Sequence, residues 1–335
     1  MIMRKEFTVA VALCALSIFS FQFCSVQERR ENIRPEFLKP GDSIGIMTVS
    51  SAVEESVEEA DSLIQIVESW GVKVRRGENL FKKEYMSFSV SDKERAEEFM
   101  RMVKNDNLKA IVFYRGGYGA MRTLPYLDFE EIKRHPKWIL GFSDVTTYLT
   151  VWANMGIETI HGAMLNSYYL HKRPDSAAIT SCDALFGRVS RYSSPAHKYN
   201  RLGSAEGILR GGNMSLLAAS YGTPYEIKID EPTVLFIEET DENMNTVDRF
   251  LQQLFQSGKM KNVKAVLVGN FRRCKDVNDE WQGMDIYDLI NTYTKDLGIQ
   301  VIFGFPAGHG RPNNAIYIGR KVKVNVKETG GEVIF

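Results

Sequence analysis

The chain has 335 residues, of which 44% are hydrophobic, and its 42 Lys and Arg residues equal its 42 Asp and Glu residues. This length and apolar content exclude a disordered chain and predict two folded domains. The balance of charge excludes a global basic field of the kind that attracts nucleic acid, and it implies neither an acidic nor a basic class of partner.

The N-terminal 24 residues have the layout of a bacterial export signal. Arg4 and Lys5 precede an uncharged, mostly apolar run at residues 7–23, and Cys24 precedes a polar stretch. We therefore expect an exported, periplasmic protein that contacts the membrane only through this segment. Cys24 resembles the lipid-bearing cysteine of a lipoprotein, whereas Phe21 and Phe23 depart from the small residues usual before it. A lipid anchor at Cys24, simple cleavage nearby and an uncleaved anchor all stay open.

Strand and helix patterns alternate in the first half of the chain, after a predicted tether at residues 25–37. Strands are predicted at residues 44–49, 72–74, 111–114, 138–142 and 158–165, and helices at residues 54–70, 92–104 and after residue 143. The alternation predicts an α/β N-terminal domain at residues 38–165 with a doubly wound, mostly parallel sheet. Sites in such sheets gather at the carboxyl ends of the strands.

The second half begins after residues 166–205, which lack sustained periodicity and are predicted to cross between the domains. Strands are predicted at residues 233–237, 263–268 and 300–303, helices at residues 214–221, 243–256 and 286–297, and antiparallel β-structure in the tail from residue 316. Residues 206–335 are therefore expected to form a smaller, β-rich α/β C-terminal domain.

Cysteine and histidine spacing gives no indication of a metal site. The four cysteines, Cys14, Cys24, Cys182 and Cys274, contain no CxxC pair, and the five histidines form neither HExxH nor HxH. The cysteines are also too sparse to indicate a disulfide framework. We expect no metal ion and no cofactor.

Two strand ends in the first domain carry candidate site residues. The strand at residues 111–114 breaks into the glycine loop RGGYG at residues 115–119, where backbone N–H groups can line an anion site. Ser143 stands at the next strand-to-helix corner within GFSD, as in a nucleophile elbow, although the closing glycine of the GxSxG form is missing. An ordinary helix N-cap is the alternative interpretation of this Ser-Asp pair.

Ser143, Glu238 and His309 each follow a predicted apolar strand. In an α/β protein such positions lie on one rim, where a serine, a carboxylate and an imidazole can meet although they are distant in sequence. His161, beside another strand end, is a further candidate, for which a structural role is the alternative.

A set of motifs resembles, in order and spacing, the LD-carboxypeptidase family, which includes the microcin C immunity peptidases. The motifs are GDSIGI, RGGYGAMRTLPYLDF, GFSDVTTYL, HGAML, LRGGNMSLL, LFIEETDE and FPAGHG. The resemblance covers roughly residues 38–330 and departs at residues 48–51, where family members often have a proline before the serine. It implies a homodimeric serine peptidase with the two-domain α/β fold.

The resemblance also assigns roles. Ser143 of GFSD is the expected nucleophile, His309 of GHG the base and Glu238 of LFIEE the acid, with Glu239 as its rival. We expect His309 to accept the Ser143 proton while Glu238 fixes the ring. The oxyanion is expected to bind the backbone N–H groups of Gly117 and Asp144. The candidates for substrate binding are Ser50, Arg115, Gly116, Tyr118 and Asn213, with Arg210 as a further possible carboxylate ligand. A structural role is the alternative for the arginines.

The substrate that the resemblance implies is a murein tetrapeptide, cleaved before its terminal D-alanine in cell-wall turnover or recycling. Two alternatives stay open: an immunity-type hydrolase of peptidyl or aminoacyl adenylate analogues, and a non-catalytic peptide-binding lipoprotein. Family members that recycle the cell wall act in the cytoplasm, whereas the leader here predicts action outside the inner membrane.

Overall fold

Strands and helices alternate along both halves of the chain, as the periodicity predicts. The computed structural model describes residues 32–169 and 176–335, so the predicted leader at residues 1–24 lies outside the described residues. The elements up to residue 195 are β1 (Ser43–Met47), α1 (Val57–Glu68), β2 (Lys73–Arg76), α2 (Asp92–Val103), β3 (Leu108–Phe113), α3 (Ala120–Thr123), α4 (Phe129–Arg134), β4 (Trp138–Gly141), α5 (Thr146–Asn154), β5 (Thr159–His161), α6 (Leu165–Tyr169), α7 (Ser176–Leu185) and β6 (Arg191–Pro195).

The second half continues the alternation and ends in β-strands. Its elements are β7 (Gly203–Asn213), α8 (Met214–Ser220), β8 (Thr233–Thr240), α9 (Met244–Gln256), β9 (Val263–Arg272), α10 (Ile286–Thr294), β10 (Gln300–Gly308), β11 (Ile316–Ile318), β12 (Lys321–Lys327) and β13 (Gly330–Ile334). Short 3₁₀ turns cover Leu124–Tyr126, Ser143–Val145 and Lys259–Asn262.

Two sheets organise these elements. The first has the strand order β11-β5-β4-β3-β1-β2, in which the pairs from β5 to β2 are parallel and β11 is antiparallel to β5. The second has the order β10-β9-β8-β7-β12-β13-β6, parallel from β10 to β7 and antiparallel beyond. This architecture confirms the predicted α/β fold class with a mostly parallel first sheet.

Apolar side chains alternate between the two faces of the first sheet, so both faces are covered. Ile46 and Val112 pack in a core with α1, whereas Phe113 and Ile139 pack in a core on the other face with α2 and α5. Strands buried on both faces need a continuous apolar run, which is why residues 110–113 of β3 are all apolar and buried.

The structure differs from the predictions in four segments. Residues 32–37 of the predicted tether pack against the first sheet: the Phe37 ring stacks on Trp138, and Trp138 Nε1 donates to the Glu36 carbonyl at 3.0 Å. Residues 166–205, which lack sustained periodicity in the sequence and are predicted to cross between the domains, contain α7 and β6, and β6 forms the edge of the second sheet. The tail strand β11 does not stay with the C-terminal strands but pairs with β5 of the first sheet. β8 extends through residue 240, so Glu238 lies inside a strand rather than just past one. The domain boundaries stay a prediction.

Candidate active site

Ser143 occupies a sharp corner between β4 and α5. Its φ angle is +60°, in the left-handed region that non-glycine residues rarely adopt. Gly141 makes the corner possible, because a Cβ added there would lie 2.8 Å from Val145 Cγ1. The N-cap interpretation of Ser143 is wrong: Phe142 and Val145 occupy the cap positions, and neither makes a side-chain cap hydrogen bond.

Ser143, His309 and Glu238 form one hydrogen-bonded chain. Ser143 Oγ lies 3.0 Å from His309 Nε2, and His309 Nδ1 lies 2.6 Å from Glu238 Oε2. The same carboxylate oxygen accepts the backbone N–H of His309 at 3.1 Å. Gly308 permits this approach, since a Cβ there would lie 2.8 Å from Glu238 Oε2. The order hydroxyl, imidazole, carboxylate is that of an activated serine.

The neighbouring carboxylate, Glu239, makes no contact with His309 and is hydrogen-bonded to other residues. Its Oε1 accepts hydrogen bonds from Asn213 Nδ2 at 2.6 Å and from the Thr240 N–H at 2.9 Å, while its Oε2 accepts from the Ser215 N–H at 2.7 Å. Successive side chains of a strand point to opposite faces, so only one of the two glutamates reaches His309. That residue is Glu238.

The electrostatics of the chain suit proton transfer. Full burial raises the pKa of Glu238, but the His309 and His161 rings beside it together have the opposite and prevailing effect, and the net pKa is about 2. Burial lowers the pKa of His309, and the Glu238 carboxylate more than compensates, so this pKa is raised. Glu238 is therefore an anion at neutral pH, held against the ring that it orients.

The glycine loop after β3 lies against the nucleophile. A Cβ added to Gly116 would lie 3.2 Å from Ser143 Cβ, so a side chain there would crowd the serine. Gly117 has φ +111°, and a Cβ on it would lie 2.5 Å from Ser51 Oγ. Within residues 32–169 and 176–335, the backbone N–H groups of Gly117 and Asp144 donate to no protein acceptor. Both amides are thus available to an anion.

The Asp144 side chain connects the corner at Ser143 to the loop after β1 and to the start of α3 through hydrogen bonds. Its Oδ2 accepts hydrogen bonds from Ser50 Oγ at 2.6 Å and from the Ala120 N–H at 2.8 Å, and burial raises the pKa of this carboxyl. Ser50, predicted to bind substrate, is itself fully buried. In this position it links the loop after β1 to the residue that follows the nucleophile.

Of the other predicted binding residues, one is exposed and the rest are held by contacts within the protein. Tyr118 is 62% exposed within the glycine loop, whereas Arg115 donates to the Ala52 carbonyl at 2.9 Å and pairs with Glu54 at 3.0 Å. Asn213 is buried as the N-cap of α8, and its amide donates to Glu239. Arg210 is also buried and pairs with Glu231 at 2.8 Å, which is the structural role weighed as its alternative. Their roles toward a substrate stay predictions.

A cleft of about 460 Å³ opens at His309. Its lining consists of Phe142, Ala163, Ser167, Ala177, Arg272, Gly308, His309, Gly310, Arg311 and Asn313. Arg272 and Arg311 were not predicted from the sequence. Arg272 ends β9 and Arg311 follows β10. Because sites in α/β proteins gather at strand ends, these positions could have identified the two arginines as candidates.

Neither a metal-binding cluster nor a membrane-spanning helix occurs in the part of the chain that the structure describes. Within residues 32–169 and 176–335, His, Cys, Asp and Glu side chains form no cluster suited to a metal ion. In that part of the chain, no helix has the length and apolar character needed to span a bilayer.

Known proteins match this chain over most of its length. Residues 44–162 match the LD-carboxypeptidase N-terminal domain, and residues 206–324 match the LD-carboxypeptidase C-terminal domain. A Bacillus subtilis protein named probable murein peptide carboxypeptidase is 32% identical over 301 residues, covering 89% of this chain and 93% of that protein. The microcin C7 self-immunity protein MccF of Escherichia coli is 24% identical over 319 residues, covering 86% of this chain and 92% of that protein.

A solved structure supports the same relation. The crystal structure of muramoyltetrapeptide carboxypeptidase from Oxalobacter formigenes superposes with a TM-score of 0.77 at 26% identity, covering 87% of this chain and 97% of the other. The two matched domains span more than half of the chain, and the Bacillus relative is similar along nearly all of it. The chain therefore belongs to the LD-carboxypeptidase family of peptidases.

Proposed function

We propose that this chain is a serine carboxypeptidase that cleaves the L,D-amide bond before the terminal D-alanine of murein tetrapeptides. The observation that carries the proposal is the chain of hydrogen bonds from Ser143 Oγ through His309 to Glu238, beside an open cleft. Its setting within an LD-carboxypeptidase family member supports the class of substrate.

The reaction follows from the proton positions. His309 Nε2 takes the proton of Ser143 Oγ as that oxygen attacks the carbonyl carbon of the penultimate residue. The imidazolium then gives this proton to the leaving nitrogen of D-alanine, which leaves an ester on Ser143. Water attacks the ester with His309 again as the base, so that the shortened peptide leaves and Ser143 regains its proton. The Glu238 anion stabilises the imidazolium in both steps.

The oxyanion is assigned to the backbone N–H groups of Gly117 and Asp144. Support comes from the contact of the glycine loop with Ser143 and from the two amides that have no protein acceptor among the described residues. Preformed donors of this kind typically contribute about 3 kcal/mol each to transition-state stabilisation.

The charge of the cleft supports an anionic substrate. Of the described residues that line it, two are arginines, Arg272 and Arg311, and none is a carboxylate. A guanidinium binds a carboxylate through two parallel hydrogen bonds, and a peptide ending in D-alanine presents one next to the scissile bond. The adenylate-type analogues of the alternative function are also charged, so charge alone does not separate the two substrates.

The relation to the microcin C7 self-immunity protein is the observation in favour of a second candidate, an immunity-type hydrolase of aminoacyl adenylate analogues. The predicted export leader favours the murein substrate, because such toxins act in the cytoplasm. A non-catalytic peptide-binding lipoprotein is the third candidate, and the hydrogen-bonded Ser143 and His309 weigh against it.

A substrate panel tests the proposal. The purified full-length chain is incubated with a murein tetrapeptide ending in D-alanine, with the isomer ending in L-alanine and with an aminoacyl sulfamoyl adenosine. We expect release of alanine from the first compound only. Hydrolysis of the adenosine compound alone would establish the second candidate. Cleavage of none, by a chain whose Ser143 also resists a fluorophosphonate probe, would favour the binding protein.

Export and assembly belong to the same proposal. We propose export through the leader at residues 1–24 and a homodimer in solution. A lipid on Cys24, simple cleavage nearby and an uncleaved anchor are the alternatives for the N-terminus. Mass spectrometry of the N-terminal peptide, with Cys24→Ala as the control, tests the lipid. Light scattering of the purified chain tests the dimer, and a monomer at working concentration would contradict it.

A further inference from the structure

His161 ends β5 directly beside the catalytic carboxylate. It pairs in register with Gly141 of β4 on one side and with Ile316 of β11 on the other, and its side chain is fully buried. Its Nε2 atom lies 3.9 Å from Glu238 Oε1, on the side of the carboxylate away from His309. The mechanism described above gives this histidine no role.

The polar atoms at this contact are unpaired. Among the described residues, neither ring nitrogen of His161 has a hydrogen-bond partner, and neither does Glu238 Oε1. The other carboxylate oxygen, Oε2, is occupied by the backbone and ring N–H groups of His309. A buried acceptor and a buried ring that must carry at least one N–H therefore face each other without other partners, a rare arrangement in folded proteins.

Aromatic rings fix the direction of the imidazole. The His161 ring packs edge-on against Phe236, with ring centroids 5.0 Å apart, and against Phe142, with centroids 5.7 Å apart. The Phe142 and His309 ring centroids are 4.8 Å apart. These contacts leave Glu238 as the polar group in front of Nε2. A movement of roughly 1 Å would bring Nε2 and Oε1 to hydrogen-bond distance, and catalytic hydrogen bonds are often long in free enzymes and shorten on substrate binding.

We propose that His161 is a positioning residue: its Nε2–H donates to Glu238 Oε1 and keeps Oε2 directed at His309. The role rests on the proposed serine mechanism. A carboxylate held at one oxygen only can rotate about its last bond, and rotation would withdraw Oε2 from His309 Nδ1. With both oxygens held, the base keeps the tautomer in which Nε2 faces Ser143.

Removal of the His161 N–H should change the pKa of His309 as well as the reaction rate. The charged groups that act on His309 are Glu238 first, then Glu239 and Asp241. Loss of the His161 N–H lets Glu238 Oε2 turn away from His309, so His309 should hold its proton less tightly and the acid limb of the rate profile should move to lower pH, the direction also expected of Glu238→Gln. A residue that only fills space would not move this limb.

The test uses a readout that does not depend on the identity of the substrate. The rate constant for modification of Ser143 by a fluorophosphonate probe is measured against pH for the full-length chain, H161F, H161Q and H161M, with Ser143→Ala as the blank. Phenylalanine keeps the ring shape without a donor, methionine is a flexible apolar control for cases where H161F does not fold, and glutamine restores an N–H. Thermal melting identifies the folded variants.

We expect H161F or H161M to react roughly tenfold more slowly than the parent, a typical effect of losing one hydrogen bond, with the acid limb at lower pH. H161Q should recover most of the rate and the parental limb. An unchanged limb in a folded apolar variant, or an H161Q variant as slow as H161F, would overturn the proposal. Labelling of Ser143 without release of D-alanine would instead refute the murein substrate and leave the role of His161 intact.

Discussion

Ser143 Oγ lies 3.0 Å from His309 Nε2, although 166 positions separate the two residues in the chain. The serine belongs to the corner after β4 of the first sheet, and the histidine follows β10 of the second. The two sheets thus supply the nucleophile and the base separately, and the site exists only when both are folded.

Because only Glu238 contacts His309, substitution of the two adjacent glutamates should have different effects on catalysis. Glu238→Gln should lower kcat by about 10⁴-fold, because an amide cannot hold the His309 tautomer or stabilise its charged form. Glu239→Gln should lower kcat by less than about tenfold, since this side chain contacts Asn213, Ser215 and Thr240 rather than the base. Steady-state release of alanine measures both, and equal losses in the two variants would contradict the assignment of Glu238.

A substitution at Gly117 should impair turnover through the backbone. Gly117→Ala places a methyl group 2.5 Å from Ser51 Oγ at a φ of +111°, so the loop must shift and the Gly117 N–H leaves its position. We expect kcat to fall by roughly 10²-fold, as for loss of one oxyanion donor. Gly258→Ala is the matched control, because it has φ +74° but nothing within 4 Å of an added Cβ. Normal kinetics in Gly117→Ala would reject the oxyanion assignment.

The pH dependence should report His309. Burial lowers its pKa, but the Glu238 carboxylate raises the net value above the ordinary 6.5, and the base works only when deprotonated. The acid limb of kcat/KM should therefore lie above pH 6.5, with activity lost as the pH falls through it. The Glu238 pKa of about 2 lies too low to cause this limb. In Glu238→Gln the residual activity should show the limb at lower pH, and an unmoved limb would disprove the coupling.

Glu158 should matter for stability rather than catalysis. This fully buried carboxylate binds Arg320 at 2.6 Å and Arg34 at 3.1 Å, joining the residue before β5 to the segment before β1 and to the loop before β12. Glu158→Ala leaves the largely buried Arg320 unpaired and should cost about 3–5 kcal/mol of unfolding free energy in denaturant titrations. The exposed pair Glu206 and Lys321 provides the control, for which Glu206→Gln should change stability by less than about 0.5 kcal/mol.

Local sequence was sufficient for the elements that carry the site. The apolar run before RGGYG and the corner at GFSD predict strand ends with exposed polar groups, and Ser143 and the glycine loop lie at such ends. Short-range patterns suffice here because turn chemistry is local: Gly117 and Gly141 are required by a positive φ and by a close contact, respectively.

Long-range pairing was not accessible from the same patterns. The apolar run Ile316–Ile318 predicts a strand, but nothing in it indicates a partner 155 residues earlier, as in the pair between Ile316 and His161. The hydrogen bond from Asn213 to Glu239 was not predictable from the sequence either, because it depends on the register between β7 and β8. The two cleft arginines follow strand ends whose neighbours only the folded chain defines.

The most direct test of the account is mass spectrometry of a murein tetrapeptide incubated with the full-length chain and with its Ser143→Ala variant. We predict that the parent removes one alanine from the peptide and that the variant, matched in concentration and folded by thermal melting, removes none. Cleavage by both would contradict Ser143 as the nucleophile. An intact peptide in both samples would contradict the proposed reaction.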